Sequence, residues 1–145
     1  MALDPRTALA LAVQSHKGIY ALLLGSGISR SAGVPTGWEV VVTLIKRIAA
    51  AEGTSSDPDP AAWYKARFGV DPTYNEIVER LAPKQAERLS LLRPLFEPTP
   101  AEAEDGLKKP TSAHKAIAKL VAAGYFRVII TTNFDRLMER ALQDE

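Results

Sequence analysis

Gly25-Ser26-Gly27-Ile28-Ser29-Arg30-Ser31-Ala32-Gly33-Val34-Pro35 follows directly on the apolar run Ile19-Tyr20-Ala21-Leu22-Leu23-Leu24. A buried strand that breaks into glycines and small hydroxyl residues has the makings of a phosphate cradle. Gly25 and Gly27 allow a sharp turn and close approach of a ligand to the backbone, and the amides of the next turn have no intrahelical acceptor. The third glycine narrows the reading. A dinucleotide fold of the dehydrogenase type places it three residues after the second, where this chain has Arg30. Here it comes six residues on, at Gly33, followed by Val34-Pro35. Ser29 is placed either to cap the following helix or to reach a ligand phosphate, and Arg30 either to pair with a phosphate or to face solvent.

A second apolar run, Phe126-Arg127-Val128-Ile129-Ile130-Thr131, reads as another buried strand and leads into Thr132-Asn133-Phe134-Asp135. Asn133 and Asp135 therefore stand at the carboxyl end of a predicted strand, where ligands bind in open parallel sheets. Both residue types also serve well in Asx turns and as N-caps, so the residues alone leave both roles open. Upstream, Pro110-Thr111-Ser112-Ala113-His114 opens a helix that Ser112 would cap and Gly124 would end.

The pattern G-x-G-x-S-x-x-x-G-V-P resembles the nucleotide-binding opening of the sirtuin (silent information regulator) family. Thr131 to Asp135 is similar to that family's T-x-N-x-D element, and Pro110 to His114, with Leu120 on the same helix, is similar to the P-x-x-x-H segment before it. The resemblance covers the Gly-rich stretch and residues 110–145, and says little about residues 39–109. It implies an α/β fold with a Rossmann-like parallel sheet, of which two strands are readable, and a helical insertion between them. It further implies that NAD is bound as a substrate by Gly25, Ser26, Gly27, Ser29, Arg30, Gly33, Thr131, Thr132 and Asp135. Asn133 would be the catalytic residue, positioning a water or a ribose hydroxyl, with Asp135 at the nicotinamide end. His114 is expected to be structural, because in the family the catalytic base comes later in the chain. Ser26 departs from the family's usual alanine.

Thr36-Gly37-Trp38 stands where protein-deacylating sirtuins carry an Asp-Phe-Arg triplet. The resemblance therefore turns from deacylation toward the prokaryotic sirtuin-like domains that hydrolyse NAD in antiphage defence. The implied reaction is cleavage of NAD to nicotinamide and ADP-ribose. The rivals are an NAD-dependent protein deacylase and a module that senses NAD or ADP-ribose without turning it over. The zinc cysteines of deacylases would lie downstream and decide nothing here.

The chain has 145 residues, a size that suits one domain with a real core. With 46% hydrophobic and 24% charged residues it is neither disordered nor membrane-embedded, and a net charge of +1 gives no case for nucleic acid. There is no cysteine, hence no disulfide and no thiolate metal site, and no metal is expected. Residues 2–12 are rich in Ala and Leu but carry Asp4 and Arg6, which argues against a membrane span or leader and for a cytoplasmic protein. Two strands are few for a parallel sheet, and the amphipathic pattern Leu137, Met138, Ala141, Leu142 reaches Glu145 without a cap. Residues 1–145 are thus expected to be the front part of a catalytic domain, inactive alone, with the histidine base and any sensor or effector region beyond Glu145. A homo-oligomer is left open.

Between the motifs the pattern is helical. Asp4-Pro5 opens a helix to about His16, and Trp38, Val41, Val42, Leu44, Ile45, Ile48 and Ala49 mark another that closes at Gly53. Short helices are predicted over 61–68 and 74–81 and a longer one over 84–95. Residues 94–110, with four prolines, read as an extended, mobile connection. Trp38 and Trp63 are expected to pack, and Glu76, Glu79 and Glu87 to face solvent.

Overall fold

The computed structural model describes residues 3–145. Residues 1 and 2, the second of which begins the stretch weighed as a leader, lie outside the described residues. The chain is α/β and mostly helical. Helix α1 (Pro5–Ser15) begins at Asp4, whose carboxylate accepts the amides of Arg6 and Thr7, and Pro5 fills the first position where no amide is needed. Strand β1 (Ala21–Leu24) then pairs in parallel with β2 (Val128–Thr131) in the register Ala21 to Val128 and Leu24 to Thr131. Everything between these strands forms the crossover. A 3-10 turn (Ser26–Ala32) leads to α2 (Gly37–Ala51), α3 (Pro60–Phe68), α4 (Tyr74–Leu81), α5 (Gln85–Phe96), α6 (Pro100–Glu104) and α7 (Ser112–Ala122), and α8 (Leu137–Gln143) follows β2. Among the described residues no helix is long and apolar enough to cross a membrane.

The helical insertion owns the largest apolar cluster. Val40, Val41, Leu44, Ile45 and Ile48 line one face of α2 and close on Tyr64 of α3 and on Ile77 and Val78 of α4. Each fully buried aliphatic side chain of this kind contributes about 1.5–3 kcal/mol. A second cluster, on α7 and α8, sets Ala118, Met138 and Ala141 beneath Leu24 and Ile129 of the sheet. The third is small but decides the site. Ala32 and Val34, at the end of the Gly-rich stretch, meet Leu137 at the start of α8, with Phe96 of α5 against them.

Several expectations are corrected. The two strands are half-covered rather than buried: α7 and α8 pack under Leu24 and Ile129, while Leu23, Val128 and Ile130 face outward, each more than half exposed. Each strand is also two residues shorter at its start than the apolar run predicts, because pairing begins only at Ala21 and Val128. Trp38 is exposed at 55% on the open side of α2, whereas Trp63 does pack against the core. The connection 94–110 is not extended. Thr99 and Glu102 form a reciprocal capping box around Pro100 and start α6, a T-P-x-E pattern legible in the sequence.

Candidate functional site

The Gly-rich stretch and the segment after β2 meet at the carboxyl ends of the two strands. Between them lies a cleft of about 180 Å³, lined by Ser26, Val34, Pro35, Gly37 and Val40 on one side and by Thr132, Asn133, Phe134 and Asp135 on the other, with Tyr74 and Phe96 from the insertion. Of the residues expected to bind, Ser26, Thr132, Asn133 and Asp135 line this cleft directly.

The glycines do different jobs. Gly33 has φ +79, ends the 3-10 turn, and would set a Cβ 3.3 Å from Cδ2 of Leu107, so its need for glycine is met by the protein itself. Gly25 and Gly27 have no positive φ, and a Cβ on either would meet nothing within 4 Å. The turn expected from their backbone freedom is made instead by ordinary 3-10 geometry. What these two glycines leave is open space beside the chain. The first closing amide of the turn is that of Ile28, on the carbonyl of Gly25. In this geometry the amides of Ser26 and Gly27 stand ahead of it without a backbone acceptor.

Ser29 does not cap a helix. It sits fully buried inside the turn, and the cap of α2 falls to Thr36, in a capping box with Glu39. Arg30 turns away from the cleft: its guanidinium is exposed and pairs with Glu39 at 3.1 Å. Among the described residues no cation lines the cleft, so an anion held there would rest on backbone amides and hydroxyls.

A buried polar chain links the Gly-rich turn to the far side of the cleft. Thr111, not Ser112, caps α7, and its amide donates to Nδ1 of His114 at 3.1 Å. With Nδ1 an acceptor, the ring proton lies on Nε2, which donates to Oγ of Ser29 at 3.4 Å. Nδ2 of Asn133 donates to the same oxygen at 3.4 Å, and the amide of Asn133 is held by Oγ1 of Thr131 at 3.1 Å. Oδ1 of Asn133 is buried and has no partner among the described residues. Turning the amide over would let Ser29 donate to Oδ1 and leave Nδ2 unpaired instead. In either orientation one polar atom of Asn133 remains for a ligand.

Asp135 is buried and accepts the amide of Leu137 at 3.0 Å, fixing the start of α8. Burial holds the His114 imidazole below its ordinary value of 6.5, against the opposing pull of the Asp135 carboxylate. His114 is thus a neutral, fully buried ring that orders Ser29, the structural part expected of it. His16 donates to the Ala12 carbonyl at the end of α1, away from the cleft. Sequence reading missed the aromatic side of the cleft. Phe134 stacks on Tyr74 with ring centres 5.7 Å apart and leans on Phe96 at the same distance. No spacing in the sequence marked Phe134, Tyr74 or Phe96 as cleft residues. Among the described residues no group of three His, Asp or Glu gathers to hold a metal.

No protein-family model matches the chain. It is similar to a protein of Haloarcula marismortui named NAD-dependent protein deacetylase, with 28% identity over 137 residues, 94% of this chain. The chain spans 42% of the length of that relative. The matched stretch takes in both the Gly-rich turn and the Thr131 to Asp135 segment, and the likeness agrees with the sirtuin-like motifs.

Proposed function

We propose that the cleft binds NAD as a substrate and that the protein splits its N-glycosidic bond, with water as the acceptor. The observation that carries this reading is the pairing of open space at Gly25 and Gly27 with an unpaired buried amide atom of Asn133 across the same strand ends. Both features are unexplained by packing within the chain, and both suit a ligand with a diphosphate at one end and a polar reacting centre at the other. The likeness to an NAD-dependent deacetylase supports the choice of ligand.

In this reading the amides of Ser26 and Gly27 and the hydroxyl of Ser26 hold the diphosphate, with Gly33 shaping the end of the turn. Thr131 and Thr132 shape the mouth of the cleft, and Asp135 faces the nicotinamide end. The bond from the ribose C1′ to the pyridinium nitrogen breaks, and its electron pair leaves on nicotinamide. A water oxygen then bonds to C1′ and gives up a proton to a base. Such a centre is stabilised chiefly by preorganised dipoles and positioning, which is the work of the Asn133 amide. We place the base, and any sensor or effector region, in a longer protein of which this chain is the nucleotide-binding part, and we read the setting as antiphage defence in the cytoplasm. Arg30, spent on Glu39, is proposed to reach the ligand only if that exposed pair opens.

A second reading, NAD-dependent deacylation, is favoured by the relative's name and opposed by Thr36-Gly37-Trp38, which builds a helix cap where a binding triplet would stand. Isothermal titration of NAD into the 145-residue chain tests binding. Incubation of the full-length gene product with NAD, with and without an acetylated peptide, tests the reaction. Nicotinamide and ADP-ribose formed without peptide support hydrolysis. Nicotinamide formed only with peptide supports deacylation, and NAD bound but unchanged supports a sensor.

A further inference from the structure

A second and larger cavity, of about 350 Å³, adjoins the cleft and shares Phe96, Phe134 and Asp135 with it. Its floor is apolar, made by Leu89, Leu92 and Phe96 of α5 and by Leu137 of α8. Leu89 is 62% exposed, so the floor is open to solvent. The charges around it are unevenly spent. Arg93 pairs with Glu97 at 3.2 Å, and Arg88 donates to the carbonyls of Ala82 and Pro83 at 2.9 and 3.3 Å. Asp135 is committed to the amide of Leu137. Arg136, the N-cap of α8, and Arg140, four residues on in its last turn, line the cavity with no ion-pair or hydrogen-bond partner for either guanidinium among the described residues. Two unengaged guanidiniums beside an apolar floor complement one kind of small molecule, an apolar body with an anionic head.

We propose that this groove binds a single-chain amphiphilic carboxylate, its chain on Leu89, Leu92, Phe96 and Leu137 and its head on Arg136 and Arg140. The cavity is of a size that holds small ligands, and Arg88, Arg93, Arg136 and Arg140 outnumber its carboxylates, Glu97 and Asp135, so the charge around it favours an anionic head. The inference does not depend on what occupies the neighbouring cleft.

Sodium decanoate, kept below its micelle concentration, is titrated into the 145-residue chain and followed by amide chemical shifts, with decanol and acetate as controls. Saturable shifts at Leu89, Phe96, Arg136 and Leu137 are expected for decanoate, with decanol and acetate each at least about tenfold weaker, the scale of a charge-assisted hydrogen bond. The double variant Arg136→Gln with Arg140→Gln should lose about tenfold in decanoate affinity. Its spectrum away from the groove should be unchanged, since both positions are exposed. Leu89→Gln, at an exposed position of the apolar floor, should weaken decanoate to a similar degree and carries the test if the double variant does not fold. Equal binding of decanol and decanoate, undiminished binding by either folded variant, or no saturable shift at these residues overturns the proposal.

Discussion

Nε2 of His114 lies 3.4 Å from Oγ of Ser29 and donates a hydrogen bond to it, so a ring on α7 orders a hydroxyl 85 positions earlier in the chain. That bond needs a neutral imidazole, because Nδ1 is already the acceptor of the Thr111 amide.

Acid should therefore weaken the fold in two stages. The folded chain keeps His114 below 6.5, so across that window it binds fewer protons than the unfolded chain, and stability rises with pH. This contribution is complete above about pH 6.5 and is lost as pH falls below it. Glu102 follows lower down. The Thr99 amide first, and the Lys108 ammonium next, hold its carboxyl at about 2 against an ordinary 4.5, so its share is complete above 4.5 and lost as pH falls toward 2. Melting temperatures across pH 8 to 3 should show both steps, and His114→Gln should erase the upper one alone.

Gly27→Asp and Gly33→Ala should part company. At Gly27 the backbone is ordinary and the space is empty, so the aspartate folds normally, while its charge removes NAD binding in a titration. At Gly33 an alanine must take φ +79, costing about 1–2 kcal/mol, which chemical denaturation would register. Unchanged NAD affinity in folded Gly27→Asp would reduce the Gly-rich stretch to a turn.

Asn133→Ala removes a long hydrogen bond together with a buried oxygen that has no partner, so its net effect on stability should be small. In the full-length protein it should nevertheless lower turnover about 100-fold, as loss of a preorganised polar group at a reacting centre does. Melting temperature and turnover measured on one preparation separate the two roles. A lower melting point with normal turnover would remove Asn133 from the chemistry.

Tyr64 is fully buried in the core of the insertion and its hydroxyl has no partner among the described residues. Tyr64→Phe keeps the ring against Phe68 and deletes the unsatisfied oxygen, so it should raise stability by about 1 kcal/mol. A urea midpoint lower than that of the native chain would mean that the oxygen is paired in solution.

The parts of the fold that local chemistry dictates were legible in the sequence. Asp4-Pro5 opened α1 where expected, the apolar spacing of α2 gave the right helix, and two parallel strands flank a helical insertion. Errors arose where several good capping residues stand close together. Ser29 and Ser112 are sound caps in isolation, yet Thr36 and Thr111 won because each has a partner three residues on, Glu39 and His114, to complete a box. In the cleft, the motifs located Ser26, Thr132, Asn133 and Asp135, which lie near the strand ends. Tyr74 and Phe96 escaped notice because they reach the site through tertiary packing of the insertion, which no local spacing encodes.

Lys108 ties the Gly-rich turn to that insertion. Its amide donates to the Ala32 carbonyl at 2.6 Å, and its buried ammonium holds the carbonyls of Pro94 and Glu97 and the carboxylate of Glu102, each at 3.0 Å. Leu107, one residue earlier, lies against Gly33. In a chimera between relatives, the Gly-rich stretch is therefore not a portable module. Residues 25–35 transplanted alone would leave Gly33 without its Leu107 neighbour and the turn without the Lys108 clasp, whereas a graft that also carries residues 94–108 brings both with it.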